Sequence, residues 1–486
     1  MTKIFTLDEA LEYGMKFAEK TNVQAVEGFT NKSVDTEISV EKNIPSIRTG
    51  VSTGVSFRVV SKNNFGFCFT RTLTKERIES IIKIAIENAH SKGEDPDFKS
   101  LPEVTKKSYQ EFKFDKKLES ITSDSLADDM TKLIDSINDV KGLHYLQGQL
   151  FISILDSHLM NSNGINLREK SAGYGGFGAA ITTKGLIPNY SYGIKGGPNT
   201  SSFSIDDLID ETIEQTLRAA APKTMNFEKE VPIILEPEAA LGVLGGLFRI
   251  LATQLSGNKV SSGATPYSDQ IGNQVAVEKF NFIDNGINPT KISSSSFDAE
   301  GIPKEKTSLI ENGVLKTYLL DSYYGNKLGL ESNGKSSRSG IFGGGDPIKS
   351  VPSIGPSSLE ISPGDSSKDE MIEETREGFM VRSLMGLHMS DTSSGRFSVT
   401  GFGWYIKNGE VKYPVQEIAI SGMIPDLLKN IDLISKEIEP GLLSDCPYIR
   451  LASIPTTAKK FDLKTRFGLG VLKILTSLKI MKNPMF

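Results

Sequence analysis

Two Asn-Gly pairs set between apolar runs constrain this chain most: IENGVLKTYLL (310–320) and YIKNGEVKYPV (405–415). Asn-Gly accepts positive φ at both central positions of a two-residue turn, and that turn matches the right-handed twist of paired strands. Each stretch therefore reads as a β-hairpin. Between about residues 260 and 425, other short β-branched and aromatic runs alternate with turn residues, which predicts a large domain built mainly of sheet. Its start, EKEVPIILEPEAALGVLGGLFRILATQLSG, reads as a short strand and then a buried helix, with Pro237 at the first helical position and Gly257 closing it.

The N-terminal half carries both periodicities. VQAVEGF, SVDTEISVEKN and VSTGVSFRVVSKNNFGFCFT read as antiparallel strands joined by short turns. TKERIESIIKIAIENAH puts Ile78, Ile81, Ile82 and Ala85 on one helical face. Thr6 with Glu9 has the spacing of a capping box, and Ser204 with Asp207 starts another capped helix. A helix near 124–138 and the strand HYLQGQLFISILDS lie between them. The expected fold is α+β: N-terminal helices packed on antiparallel sheet, then a larger mainly-β C-terminal domain with a buried helix at its start. The expected boundaries are 1–222, with a polar, proline-containing sub-boundary near 95–120, then 228–455. A basic amphipathic tail, 456–486, repeats Leu469, Leu472, Leu475 and Leu478 at helical spacing, which fits weak contact with a membrane surface or a partner.

Charge and composition exclude several classes. The formal net charge is -5, without the basic stripe of a nucleic-acid binder, so no nucleic-acid partner is expected. Two cysteines, Cys68 and Cys446, do not make a disulfide scaffold and suit a reducing compartment. The N-terminus lacks the apolar core of a signal peptide, and no run approaches about 18 apolar residues, so the expected location is cytoplasmic.

Several motifs tempt a nucleotide or hydrolase assignment. GLESNGKS (329–336) spells a phosphate loop, but LLDSYYGNKLGLES before it is no buried strand, and SRSGIFGGGDPIKS after it cannot open a stable helix. GYGGFG (173–178) lacks the βαβ setting of a dinucleotide fingerprint and reads as a glycine-rich strand edge or bend. Four histidines are present, none with another at the spacing of a single-helix zinc site. His388 alone lies in a turn-rich polar stretch worth testing, GLHMSDTSSGRFS. Asp298 and Glu300, two apart in SFDAEGIP, either share a strand face for acid–base work or cap the amides of a turn. Glu236 and Glu238 bracket Pro237 and favour the positive end of the helix starting there.

Longer stretches carry a resemblance. VPIILEPEAALGVLGGL, FDAEGIPKEKTSLIENGVLKTYLLDSYYGNKLG, ESNGKSSR and LMGLHMSDTSSGRFSVTGFGWYIKNGEVKYPVQEIAISG, in this order, resemble the TldD/PmbA (TldD/TldE) family over roughly residues 5 to 455. The resemblance implies a cytoplasmic metallopeptidase system that cuts unfolded peptides and matures or degrades small ones. It also implies dimers, with TldD and TldE subunits forming a heterodimer. The TldD type carries H-E-x-x-x-H on the first helix of its C-terminal domain, and a cysteine as a further zinc ligand. The corresponding stretch, residues 237–256, contains no histidine. The chain is thus similar to the PmbA/TldE type, with no cofactor of its own and zinc expected on a TldD-type partner. Cys446, near the region of the family's cysteine, reads as structural. NGKS resembles part of a loop beside the cleft, which makes Lys335 and Arg338 candidate peptide contacts.

The leading expectation is a non-catalytic, PmbA/TldE-like subunit that supports a TldD-type subunit in proteolysis or maturation of small unfolded peptides. One alternative is an autonomous hydrolase with a non-standard site built from Asp298, Glu300 and His388. The other is a peptide-binding homodimer without chemistry.

Overall fold

The computed structural model describes residues 3–41, 44–185, 188–338 and 345–459. In the N-terminal half six strands form one antiparallel sheet: β1 Ala25–Glu41, β2 Ile44–Ser61, β3 Asn64–Thr70, β4 Leu143–Asn161, β5 Asn166–Thr182 and β6 Asn189–Gly197, in the order β3-β2-β1-β4-β5-β6. Four helices, α1 Leu7–Glu19, α2 Lys75–Lys92, α3 Ser123–Asn138 and α4 Ile205–Arg218, cover one face. Thr6 and Glu9 close the expected capping box on α1, and Ser204 caps α4. Ile78, Ile81, Ile82 and Ala85 are buried on α2 as their spacing requires. The glycines of GYGGFG lie inside β5, where they let α4 approach: a Cβ on Gly178 would stand 3.0 Å from the Thr212 hydroxyl.

The opposite face of this sheet meets the C-terminal half. Phe29 and Leu159 from the sheet pack with Ile165 and Ile348. The C-terminal half holds β7 Phe227–Leu235, β8 Phe282–Asn285, β9 Lys306–Glu311, β10 Val314–Leu315, β11 Ser336–Ser337, β12 Ser353–Ile354, β13 Leu359–Ile361, β14 Glu377–Met385, β15 Arg396–Lys407, β16 Glu410–Met423, β17 Ile431–Pro440 and β18 Ser444–Ala458. Pairing runs β18-β16-β15-β14-β7 and returns from β7 to β18, so these five strands close on themselves. Phe227, Phe379 and Tyr405 pack together in the core of this half, with Phe227 and Phe379 edge to face at 5.0 Å. Both Asn-Gly pairs turn hairpins with positive φ at each residue: 50° and 75° at Asn312 and Gly313, 55° and 73° at Asn408 and Gly409.

Two sequence expectations change here. The single helix expected from Pro237 to Gly257 is broken into α5 Pro237–Leu241, α6 Arg249–Gln254 and α7 Gly257–Ser261. The segment is buried, but Gly242, Gly245 and Gly246 let the chain fold back on itself, and the amides of Leu247 and Phe248 donate to the carbonyls of Ala239 and Ala240 at 2.9 Å. A Cβ on Gly246 would collide with the Leu241 backbone. Gly257 does not end a helix; it begins one. The second change concerns 456–458, assigned by composition to the tail. They finish β18, with Thr456 and Ala458 buried. The leucine repeat at 469–478 lies outside the described residues.

Candidate functional site

The sequence candidates separate into three places. Asp298 and Glu300 occupy a tight turn closed by pairing of Phe297 with Pro303. Asp298 Oδ1 accepts the amides of Glu300 and Ile302, each at 2.9 Å, and Oδ2 accepts that of Ser336 at 3.0 Å. This is the amide-capping geometry of a turn. Glu300 reaches into a buried charge network between the halves. Its Oε1 accepts from Arg58 Nη1 at 2.9 Å; Arg58 Nη2 meets Glu27 at 2.7 Å; Glu27 also binds Arg338 at 2.9 Å. Glu27 and Arg58 stand on β1 and β2, while Glu300 and Arg338 belong to the C-terminal half. Arg338 is therefore buried and paired. Lys335 is fully buried, 2.8 Å from Asp284, in a loop that follows α8 Ser322–Leu328 and the left-handed Gly329. Among the described residues α8, not a strand, leads into this loop and no helix opens from it, so GLESNGKS has neither element a phosphate loop needs. His388 is exposed in a one-turn 3-10 helix, Leu387–Met389, and among the described residues shares no hydrogen bond or ion pair with Asp298 or Glu300. The structure does not bring these three together.

The network has a pH signature. Burial, reinforced by the Glu300 charge, pushes the Asp298 carboxyl up to about 7, and the same two causes push Asp321 up to about 7. Burial also acts to raise Glu300, but Arg58 and the Ser322 amide outweigh it and hold Glu300 below the usual range. A raised carboxyl means that the folded state binds the proton more tightly. The stability it contributes is complete below the unfolded value of about 3.9 and is lost as pH rises through the folded value. Glu300 acts in the opposite sense and costs stability only as pH falls into the acid range. Between these two values the unfolded chain has released the proton while the folded chain keeps it, so the urea midpoint should decline from about pH 5 to about pH 7 and level off above that; Asp298→Asn should remove part of the decline, the rest belonging to Asp321. A midpoint constant across this window in the unmodified chain would contradict the assignment.

The third place is a cavity of ≈ 620 Å³ where the two halves meet. Tyr192 of β6, Glu211 of α4, Glu238 of α5, Arg382 of β14 and Cys446 of β18 line it. Tyr192 Oη donates to Glu238 Oε1 at 3.2 Å. Burial raises the Glu238 carboxyl against the pull of Arg382, and burial pushes the Tyr192 hydroxyl up as well. Arg382 reaches Glu211 at 3.4 Å and Glu236 at 3.6 Å; Arg218 binds the other Glu236 oxygen at 2.9 Å and lies over the Trp404 ring. Glu236 is thus a buried ion-pair partner. Its side chain makes no cap for α5. Ser444 Oγ donates to the Leu241 carbonyl at 3.1 Å, and Cys446 Sγ to the Pro447 carbonyl at 3.3 Å. Burial pushes the Cys446 thiol well up, so it stays protonated and weakly nucleophilic. The wall offers polar binding groups and one carboxyl held toward its neutral form. Its serine and its thiol are both tied to backbone carbonyls.

The chain is similar to known proteins over most of its length. Residues 228–457 match the PmbA/TldA metallopeptidase C-terminal domain, and residues 26–89 match domain 1 of the same metallopeptidases. The chain belongs to the PmbA/TldD family. A metalloprotease of Methanocaldococcus jannaschii is 27% identical over 419 residues, 82% of this chain and 86% of the relative. TldE from Thermococcus kodakarensis superposes with a TM-score of 0.79 at 25% identity, covering 92% of this chain and 100% of that one. A Thermotoga maritima crystal structure shares the fold at a TM-score of 0.82 and 20% identity, over 93% of this chain and 100% of its own.

The zinc motif of the TldD type can be laid on this chain in one way. Glu238 is the only glutamate in 237–256, so H-E-x-x-x-H falls on Pro237, Glu238 and Gly242. Pro237 and Gly242 carry no side-chain donor atom, and among the described residues no group of three or more His, Cys, Asp or Glu side chains is placed to hold a metal ion. Zinc needs three or four deprotonated N, S or O ligands. The residues present do not fit it.

Sequence reasoning missed Tyr192, Glu211, Arg218 and Arg382. The readable signal was Arg382 itself. An arginine inside the apolar run FMVRSLM must be paired if that run is a buried strand, and Glu236 and Glu238 were the acids at hand.

Proposed function

We propose that this chain is the PmbA/TldE-like subunit of a two-subunit metallopeptidase that processes small unfolded peptides in the cytoplasm, with zinc carried by a TldD-type partner bearing H-E-x-x-x-H. The observation that carries the reading is the α5 wall of the cavity. Glu238 stands between Pro237 and Gly242, where the motif would place two histidines, and Tyr192 holds it from across the cavity. Such a wall can bind and orient a peptide, and it supplies no metal. In this reading Arg382 and Glu238 contact the peptide backbone, and the partner supplies the hydrolytic centre. Among the described residues no helix is long and apolar enough to cross a membrane, which is compatible with this location. The test is a native pull-down of the chain from its own cells, with co-purifying proteins identified by mass. A stoichiometric partner carrying H-E-x-x-x-H is the expected result; recovery of the chain without any metal-bearing partner would contradict the proposal.

A further inference from the structure

A second cavity, of ≈ 390 Å³, also lies where the two halves meet, and the function proposed above does not use it. Phe112, from the segment before α3, lines it together with Ile287 and Ile292, from the loop between β8 and β9. All three are half-buried, and among the described residues none of them joins a hydrophobic core. Each Å² of apolar surface left in water forgoes about 25 cal/mol of stabilisation, so an apolar occupant would complete the burial of this wall.

Polar groups border the apolar ones. The buried Lys291 ammonium donates to the Gly441 carbonyl at 2.8 Å and to Asp445 at 2.5 Å. Among the described residues its third N–H has no partner. Asn199 precedes a 3-10 turn that its side chain does not cap. A few donors beside an apolar wall suit a peptide: backbone carbonyls take the donors and a side chain takes the wall.

This cavity adjoins the first. β6 runs along both, with Ile194 and Lys195 lining the first and Pro198 the second. Three extended residues span about 10 Å. The turn between β17 and β18 stands beside both as well: Gly441 and Leu442 line the first cavity, and Lys291 of the second holds the Gly441 carbonyl. A Cβ on Gly196 would stand 3.1 Å from Leu442, so glycine lets this turn close on β6. An extended peptide leaving the first cavity along β6 reaches the second within about three residues.

We propose that the second cavity is a side-chain subsite for the same peptide, and that it takes an aromatic or branched aliphatic residue three or four positions from the residue held in the first. The proposal rests on the peptide-binding reading above and adds a substrate class to it: unfolded peptides with an apolar residue at that spacing.

The test measures binding of fluorescein-labelled twelve-residue peptides to the full-length chain by fluorescence anisotropy. The parent peptide is made of Gly and Ser with one Lys, because Asp207, Asp210 and Glu214 of α4 line the first cavity. Two further peptides carry one Phe four residues before or after the Lys. At least one Phe peptide should bind roughly tenfold or more tightly than the parent. In Phe112→Asp and in Ile292→Asp the ratio of the two affinities should fall to near one, with circular dichroism unchanged. Equal affinity of all three peptides for the unmodified chain would overturn the subsite and leave the peptide-binding reading standing. A Phe preference that persists in either folded variant would overturn it too. Failure of every peptide to bind would overturn the subsite together with the reading beneath it.

Discussion

Arg58→Ala should lower the stability of the chain by about 3–5 kcal/mol, measured as the free energy of urea unfolding. Arg58 is buried between two carboxylates, Glu27 at 2.7 Å and Glu300 at 2.9 Å. Removing it leaves both in a site that water does not reach, and Arg338 can neutralise only Glu27, which it already binds. The cost comes mainly from stranding charge, not from losing an attraction. Replacing Arg58 together with both carboxylates by apolar residues of similar volume should therefore cost much less than Arg58→Ala alone. The exposed pair Lys107–Glu305 is the control: it spans the same two halves at 3.3 Å, and Lys107→Ala should change stability by less than about 1 kcal/mol. Equal effects at Arg58 and Lys107 would show that the network does not hold the halves together.

The second large effect is expected at Lys335. Its ammonium lies 2.8 Å from Asp284 Oδ2 and also donates to the Glu305 carbonyl at 3.2 Å, with no part of the side chain exposed. Lys335→Ala strands the Asp284 carboxylate and opens a void, and should cost about 3–5 kcal/mol. Lys335→Met refills the volume without restoring the charge, so it should recover only the packing share of that loss. A peptide-contact role for Lys335 requires the opposite pattern: weaker peptide binding by the complex with an unchanged urea midpoint. Measuring both quantities on both variants decides between the two roles.

These residues show what was legible in the sequence. The hairpins were, because Asn-Gly at 312–313 and 408–409 solves a local steric problem that does not depend on the rest of the fold. The helix faces were, because burial imposes a period that Ile78, Ile81, Ile82 and Ala85 display directly. The break at Gly242–Gly246 was not. A run of Ala, Leu and Gly suits a buried helix and a buried fold-back equally well, and the choice is made by the close approach of Gly245 to the Leu384 carbonyl, a tertiary contact. The closure of β7 on β18 was hidden for the same reason, since the two strands are separated by most of the C-terminal half.

The candidate site was legible only in outline. The resemblance pointed to the start of the C-terminal domain and to Cys446, and both line the cavity. It could not indicate Tyr192 or Glu211, which come from the N-terminal half. Asp298 and Glu300 illustrate the converse. Their spacing fitted a paired-carboxylate site and a capped turn alike, and only the amides of Glu300, Ile302 and Ser336 around Asp298 distinguish the two. A charged residue within an apolar strand, as with Glu27 in AVEGF, Arg58 in VSFRVV and Arg382 in FMVRSLM, was the most informative signal left unused. Each such charge requires a buried partner, and all three have one.

In the proposed function this chain contributes binding surface to a peptidase and not the metal centre. The most direct measurement is zinc content, together with cleavage of an unfolded peptide, for the purified full-length chain alone and after addition of a TldD-type chain bearing H-E-x-x-x-H. The expected result is no stoichiometric zinc and no cleavage by the chain alone, and cleavage once the TldD-type chain is added. Stoichiometric zinc and turnover by the chain alone would contradict it.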